Sequence, residues 1–186
     1  ANCIYPLQIP AYDSACDPYP YDVAKAKALM TEAGFADGFT TQLYTDTQDL
    51  SKAISESMIQ DLAAIGITVE LVQQDFDVLI GTITTPHTAP MTYLGWFQDF
   101  PDPSDFIDPI LSCASAVEGG ANTAFYCNEE IDALAADARK VLDLQEAIPL
   151  YQEIERRIMA DAPWVPLTYG YVTSLRSDRV QGYEHL

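Results

Sequence analysis

Between residues 47 and 72 the chain changes its hydrophobic period at a single glycine. Leu50, Ile54, Met58, Leu62 and Ile65 recur at helical spacing along one face. Gly66 ends that run, and Ile67-Thr68-Val69-Glu70-Leu71-Val72 then alternates as a strand does. Thr47 or Asp49 suits the cap of this helix, and Thr40–Thr45 suits a short strand before it. A strand, a helix and a second strand in immediate succession make a βαβ unit with parallel strands. This commits the chain to the α/β class.

The remaining elements fit around that unit. Asp22 can cap a helix to about Ala33, with Ala26, Leu29, Met30 and Ala33 as its apolar stripe and Gly34 as its stop. Asp75 to about Thr84 suits a helix, Met91–Phe97 a strand and Ser104–Leu111 a short helix. Asn128 is a good cap, Glu129 and Glu130 favour a helix start, and Ile131, Leu134, Ala135, Ala138 and Leu142 form the stripe that follows. Arg139 and Lys140 suit its C-terminal end. A last helix runs to about Ala160 with Tyr151, Ile154 and Ile158 on one face; Pro149 makes it begin near Ile148 or bend there, and Pro163 stops it. Trp164–Leu175 reads as extended, with Pro166 keeping part of it off a central strand position. Residues 1–20, with Pro6, Pro10, Pro18 and Pro20, read as an irregular lead-in.

With 186 residues and 48% hydrophobic content the chain can bury a core as one domain or one lobe of a larger protein. Its net charge of −19 repels phosphate backbones and anionic lipid headgroups, which excludes nucleic acid as a partner. No stretch is long and apolar enough to span a bilayer. No signal peptide stands at Ala1, so the chain reads as mature or as excised from a longer precursor. The four cysteines fall into two local pairs, Cys3 with Cys16 and Cys113 with Cys127, and no C-x-x-C occurs. We read them as two disulfides formed in an oxidising compartment, each closing a loop worth roughly 3 kcal/mol. The alternative is four reduced, buried thiols in a cytosolic protein.

Catalytic signatures are scarce. The only histidines are His87, in a Thr/Pro loop, and His185, next to the last residue. There is no G-x-S-x-G elbow, no H-E-x-x-H, no G-x-G-x-x-G and no P-loop. No cofactor is implied. What remains is the segment Leu94–Phe106, in which an apolar run (Tyr93, Leu94, Trp96, Phe97) meets a turn crowded with Asp and Pro. Aromatic surface beside a carboxylate can hold an organic cation such as the amino terminus of a peptide. The same residues also read as a strand ending in a solvated acidic loop, with Trp96 in the core. Asp99, Asp102, Asp105 and Asp108 recur every third residue. That brings calcium to mind, although the spacing is not that of an EF-hand, and a pair of these Asp side chains could serve a carboxylate-dependent hydrolase.

Several of these stretches, taken in order, resemble one family. Tyr21–Phe39 resembles a signature of the family 5 extracellular solute-binding proteins of peptide-type ABC transporters. Leu62–Glu70 is similar to the family's next helix-to-strand junction. Gly95-Trp96-Phe97-Gln98-Asp99-Phe100-Pro101-Asp102-Pro103 resembles its GWxxDxPDP segment, and Asn128–Asp132 and Asp161–Leu167 resemble its last two landmarks. The Cys113–Cys127 pair is similar to a disulfide of some dipeptide-binding members. The resemblance covers roughly residues 18–175 and implies one lobe of a two-lobed, type II periplasmic-binding-protein-like fold, a mixed sheet flanked by helices. Residues 1–186 would form a single domain, the C-terminal lobe, with the N-terminal lobe missing.

The same resemblance implies capture of an oligopeptide or dipeptide outside the membrane and delivery to an ABC permease. The receptor would be a monomer and not an enzyme, extracellular or periplasmic, and lipid-anchored through its precursor. Other members of the family bind oligosaccharides, nickel complexes or other small solutes. Peptide-binding members use an acidic residue three positions after this Trp for the ligand's ammonium group. That position is Asp99, with Trp96 and Phe97 as walls of the cleft, while Asp102 and Asp105 read as turn and cap residues.

Overall fold

Two glycines set the register of the sheet. In the computed structural model, which describes residues 1–170 and 173–182, strand β1 (Phe39–Thr45) lies parallel to β2 (Ile67–Gln73), with Phe39 opposite Ile67. Gly38 and Gly66 stand immediately ahead of these strands at φ +76° and +91°. A Cβ on Gly38 would lie 1.9 Å from the Gly66 carbonyl oxygen, so the two backbones can meet there only without a side chain. β3 (Met91–Thr92) joins the other edge of β1, also parallel, for the order β2-β1-β3. All pairings among the described residues are parallel, where a mixed sheet was expected.

Helix α1 (Val23–Glu32) starts at Asp22, whose carboxylate accepts the Lys25 N–H, and stops before Gly34 at φ +84°. The cap and stop are those the sequence predicts, but the stripe of Ala26, Leu29, Met30 and Ala33 is not buried. Helix α2 (Asp49–Ala63) packs on β1 and β2. Its cap position is Gln48 rather than Thr47 or Asp49; Asp46 accepts the Gln48 N–H just outside the helix. Ser51 and Ser55 are the residues of α2 that are fully buried, whereas Leu50 is 70% exposed. The buried positions of α2 therefore fall beside the apolar stripe and not along it. Helix α3 (Phe76–Ile83) packs on β1 through the buried Leu79 and Ile83.

The second half of the chain is a helical layer. The expected helix at Ser104–Leu111 is two pieces, a 3-10 turn at Pro103–Phe106 and helix α4 (Asp108–Leu111), joined at Ile107. Prolines at 103 and 109 each suit the start of a piece, and a helix interior would reject Pro109. Helix α5 (Glu129–Ala138) begins at Asn128, whose Oδ1 accepts the Glu130 and Ile131 N–H groups. Ile131, Ala135 and Ala138 are buried, but Leu142 lies beyond the helix end and is fully exposed. Arg139 pairs with Asp108, and Lys140 with Asp137.

Helix α6 (Leu144–Asp161) starts at Asp143, ahead of the expected position, with Pro149 inside it. Pro149 is the sixth residue of the helix, so it removes a single bond, to the Gln145 carbonyl. The burial of Ala147, Tyr151, Ile154, Ile158 and Met159 outweighs that loss. The Trp164–Leu175 segment carries no strand among its described residues; its residues 171–172, and His185, lie outside them.

The main core joins α5, α6 and residues 106–111 to the irregular lead-in. Cys3, Ile4, Tyr5, Ile9 and Ala11 are buried there, and the Cys3–Cys16 disulfide closes the lead-in across a Cα–Cα distance of 6.1 Å. The lead-in has no ladder to satisfy its backbone. Glu155 of α6, 1% exposed, accepts the Ile4 and Tyr5 N–H groups at 2.7 and 2.8 Å. Tyr169 donates to the Cys3 carbonyl at 2.9 Å, and the Ala1 nitrogen to the Leu167 carbonyl. The second disulfide, Cys113–Cys127, encloses the buried Asn122, which donates to the carbonyls of Ser112 and Tyr126.

Burial pushes the Glu155 carboxyl up to about 7, against the pull of its two backbone donors. The folded chain therefore binds more protons than the unfolded chain between the ordinary carboxyl value and about 7. The stabilisation that results is fully present below that window and is lost as pH rises through it. Glu155→Gln, which keeps an acceptor for both N–H groups, should flatten the stability profile in this window by roughly 2–3 kcal/mol relative to wild type. Urea unfolding at a series of pH values measures the difference.

Candidate functional site at the carboxyl end of the sheet

β1 passes through α2 to β2 on one flank, while β3 lies on the other. Adjacent parallel strands whose connections diverge leave a crevice at their carboxyl ends, where loops from both strands face the same space. Here those ends are Thr45 and Thr92. Tyr93 continues the pairing by one bond, its N–H donating to the Tyr44 carbonyl. The chain then leaves the sheet, so the strand expected to reach Phe97 is two residues long. β1 ends at Thr45 and offers no further partner.

The segment that leaves is the aromatic and acidic one. It is held by Asp105, 1% exposed in the 3-10 turn. Its Oδ2 accepts the Trp96 indole N–H and the Asp99 backbone N–H, both at 3.1 Å. One buried carboxylate thus fixes the ring of Trp96 and the backbone that carries Asp99. Trp96 is half-buried and packs against the helical core. Phe97 is 74% exposed, and Leu94 and Phe100 beside it are also exposed. Single exposed apolar residues are ordinary, but three within seven residues leave apolar surface that water covers at a cost.

The four aspartates of the run do not gather around one point. Asp102 caps the 3-10 turn, accepting the Ser104 N–H at 2.9 Å and its hydroxyl at 2.6 Å. Asp108 pairs with Arg139; burial still lifts its carboxyl above the usual range, against the lowering by Arg139. Asp105 faces inward. Asp99 is exposed, and among the described residues no donor reaches its carboxylate. The expected alternative of a calcium site built on this spacing does not match the geometry. Among the described residues the one group of three metal-capable side chains within reach of each other is Cys3, Cys16 and Glu155, and both of those sulfurs are in a disulfide.

The sequence reading singles out Trp96, Phe97 and Asp99, and the fold brings them onto one segment at the carboxyl end of the sheet. It reads Asp105 as a turn or cap residue. Asp102 does take that part, but Asp105 braces the segment. Asp102 stands before Pro103 and Ser104, which suits a cap, whereas Asp105 lies between Ser104 and Phe106 and carries no such signal; its donors come from the segment six to nine residues earlier.

The family model for the bacterial extracellular solute-binding proteins, family 5 (middle), matches residues 1–117. The chain belongs to this family. As a family 5 protein it is 33% identical over 184 residues to di/tripeptide-binding protein 4 of Pseudomonas aeruginosa, covering 96% of this chain and 34% of that protein. It is 30% identical over 177 residues to a glutathione-binding protein of Pectobacterium atrosepticum, covering 92% of this chain and 34% of the relative. A solved relative is the periplasmic binding protein DppA from Helicobacter pylori in complex with the peptide STSA. It superposes with a TM-score of 0.84 at 30% identity, over 90% of this chain and 32% of that one. The chain spans about a third of the length of the relatives it matches. Its fold is that of one lobe of a type II periplasmic binding protein, with a small parallel sheet flanked by helices.

Asp105→Ala leaves the Trp96 indole and the Asp99 N–H without their acceptor. We expect a loss of about 1–3 kcal/mol in stability and a shift of the tryptophan emission toward that of a solvated ring. Asp105→Asn retains an acceptor oxygen and should lose less. Urea titration followed by intrinsic fluorescence measures both.

Proposed function

We propose that this chain is the C-terminal lobe of a receptor that captures a peptide outside the cytoplasmic membrane and delivers it to the permease of an ABC importer. A facing lobe closes over the carboxyl end of the sheet, and hinge closure buries the ligand between the two. The observation that carries this reading is the Asp99 carboxylate, the member of the aspartate run that no donor reaches among the described residues. It receives the peptide's ammonium group in a charge-assisted hydrogen bond. Phe97 and Trp96 wall that contact and exclude water from it. The charge of −19 attracts cationic and zwitterionic solutes over a distance set by ionic strength. The relatives named for di- and tripeptides and for glutathione support a peptide over a sugar.

The receptor binds its ligand as a periplasmic monomer, lipid-anchored through its precursor, and is not an enzyme. A hydrolase built on this turn would need two available carboxylates, and Asp102, Asp105 and Asp108 are each held by partners.

In the two-lobed protein, Asp99→Ala should weaken binding of a dipeptide or tripeptide by about 2–4 kcal/mol, with little change in the stability of the unliganded protein. Titration calorimetry with the free peptide and its N-acetylated form checks this. The acetylated peptide should bind wild type as poorly as the free peptide binds the variant. Equal binding of both peptides by both proteins would remove Asp99 as the ammonium contact, and binding of oligosaccharides alone would remove the peptide assignment.

A further inference from the structure

The Cys3–Cys16 disulfide has an unusual neighbour. Its two Sγ atoms and a carboxylate oxygen of Glu155 lie within 4.8 Å of one another. The two sulfurs also differ in access. Cys3 is buried in the core, whereas Cys16 is half-buried and lines a shallow cavity of about 160 Å³ bounded by Asn2, Tyr12, Asp13 and Tyr169. A thiol arriving from solvent therefore meets Cys16, and the sulfur it displaces is that of Cys3, on the side of Glu155.

Among the described residues no cation lies beside Glu155; its donors are the backbone N–H groups of Ile4 and Tyr5. Burial first, and then the charge of Asp13, lift its carboxyl to about 7, so near neutrality it can both give and take a proton. The other titratable groups around it are Tyr5 of the lead-in, Tyr151 of α6 and Tyr169 of the C-terminal segment. These are phenols raised above their ordinary value by burial, and they stay neutral throughout. Among the described residues no other carboxylate groups with both sulfurs of a cysteine pair; at Cys113–Cys127 the Asp132 carboxylate accepts the Cys113 backbone N–H instead.

We propose that Cys3–Cys16 is an exchange-competent disulfide and that Glu155 is its proton donor and acceptor. In the opening direction the thiolate of a dithiol carrier attacks Cys16 Sγ. A new S–S bond forms to the carrier, the Cys3–Cys16 bond breaks, and its electron pair passes to Cys3 Sγ, which takes the proton of the Glu155 carboxyl. The carrier's second thiolate then attacks its own sulfur of the mixed disulfide and releases the Cys16 thiolate. The carrier leaves oxidised and the two cysteines are reduced. Closure runs the same steps backward. The Glu155 carboxylate takes the Cys3 proton, the Cys3 thiolate attacks Cys16 Sγ in the mixed disulfide, and the carrier thiolate departs. The partner implied is a dithiol–disulfide carrier that docks over the Asp13–Tyr169 cavity.

The test uses the full chain and dithiothreitol as the dithiol. Opening of both disulfides is followed by alkylation and peptide mass mapping from about pH 6 to about pH 8.5. The rate for Cys3–Cys16 is divided by that for Cys113–Cys127 in the same sample, which cancels the thiolate fraction of the reagent; opening through global unfolding alone would hold the ratio near one. In wild type this ratio should fall roughly tenfold or more as Glu155 loses its proton. In Glu155→Gln it should be flat. Local loosening of the lead-in in the variant would raise the ratio at every pH without restoring the slope, so the slope decides. The same slope in wild type and variant, or no slope in wild type, overturns the proposal.

Discussion

The site depends on a carboxylate that never meets the solvent. Asp105 sits in the turn that enters the helical layer, yet its acceptor oxygen reaches back to the segment leaving the sheet. A buried carboxylate without a cation is costly unless hydrogen bonds satisfy it. Trp96 Nε1 and the Asp99 N–H do so, and both are held in place in return. The brace also joins the two halves of the chain. Trp96 packs on the helical core, while the backbone just before it still pairs with β1. Removing the carboxylate would leave the aromatic and acidic segment attached to the sheet at one end only.

A second buried carboxylate organises the lead-in against the helical layer. The lead-in forms no helix or strand, so its buried N–H groups need acceptors from elsewhere. Glu155 supplies one oxygen for two of them, and Tyr169 and Leu167 bring the C-terminal segment onto Cys3 and Ala1 of the same lead-in. The lead-in is thus part of the core even though it lacks regular structure. The disulfide limits how far its unfolded chain can wander, and the burial of Tyr5 and Ile9 fixes where it docks.

Local signals in the sequence were read correctly where one short stretch contained the whole cause. The caps at Asp22 and Asn128, the stops at Gly34 and Gly66 and the alternation from Ile67 onward each depend on a few neighbouring residues. Two local readings also missed, the cap of α2 at Gln48 and the start of α6 at Asp143; the other errors arose where the cause lay elsewhere in the chain. Met91–Phe97 has the composition of a strand, but β1 ends after Thr45 and gives it nothing to pair with. The apolar stripe of α1 is genuine, yet among the described residues nothing buries it fully. Leu142 falls at helical spacing beyond the end of α5. At the candidate site the residue types of Trp96, Phe97 and Asp99 were legible, and the brace at Asp105 was not.

The sequence alone determined the α/β class, the βαβ unit and the chemical character of the aromatic–acidic segment. Period, caps and glycines act over a few residues, so they can be read without coordinates. Only the tertiary structure decided which aspartate is available and which is consumed. It also brought Glu155 beside Cys3 and Cys16, which lie about 140 to 150 residues before it in the chain. A carboxylate's role is fixed by the donors that reach it, and in this chain those donors arrive from other elements.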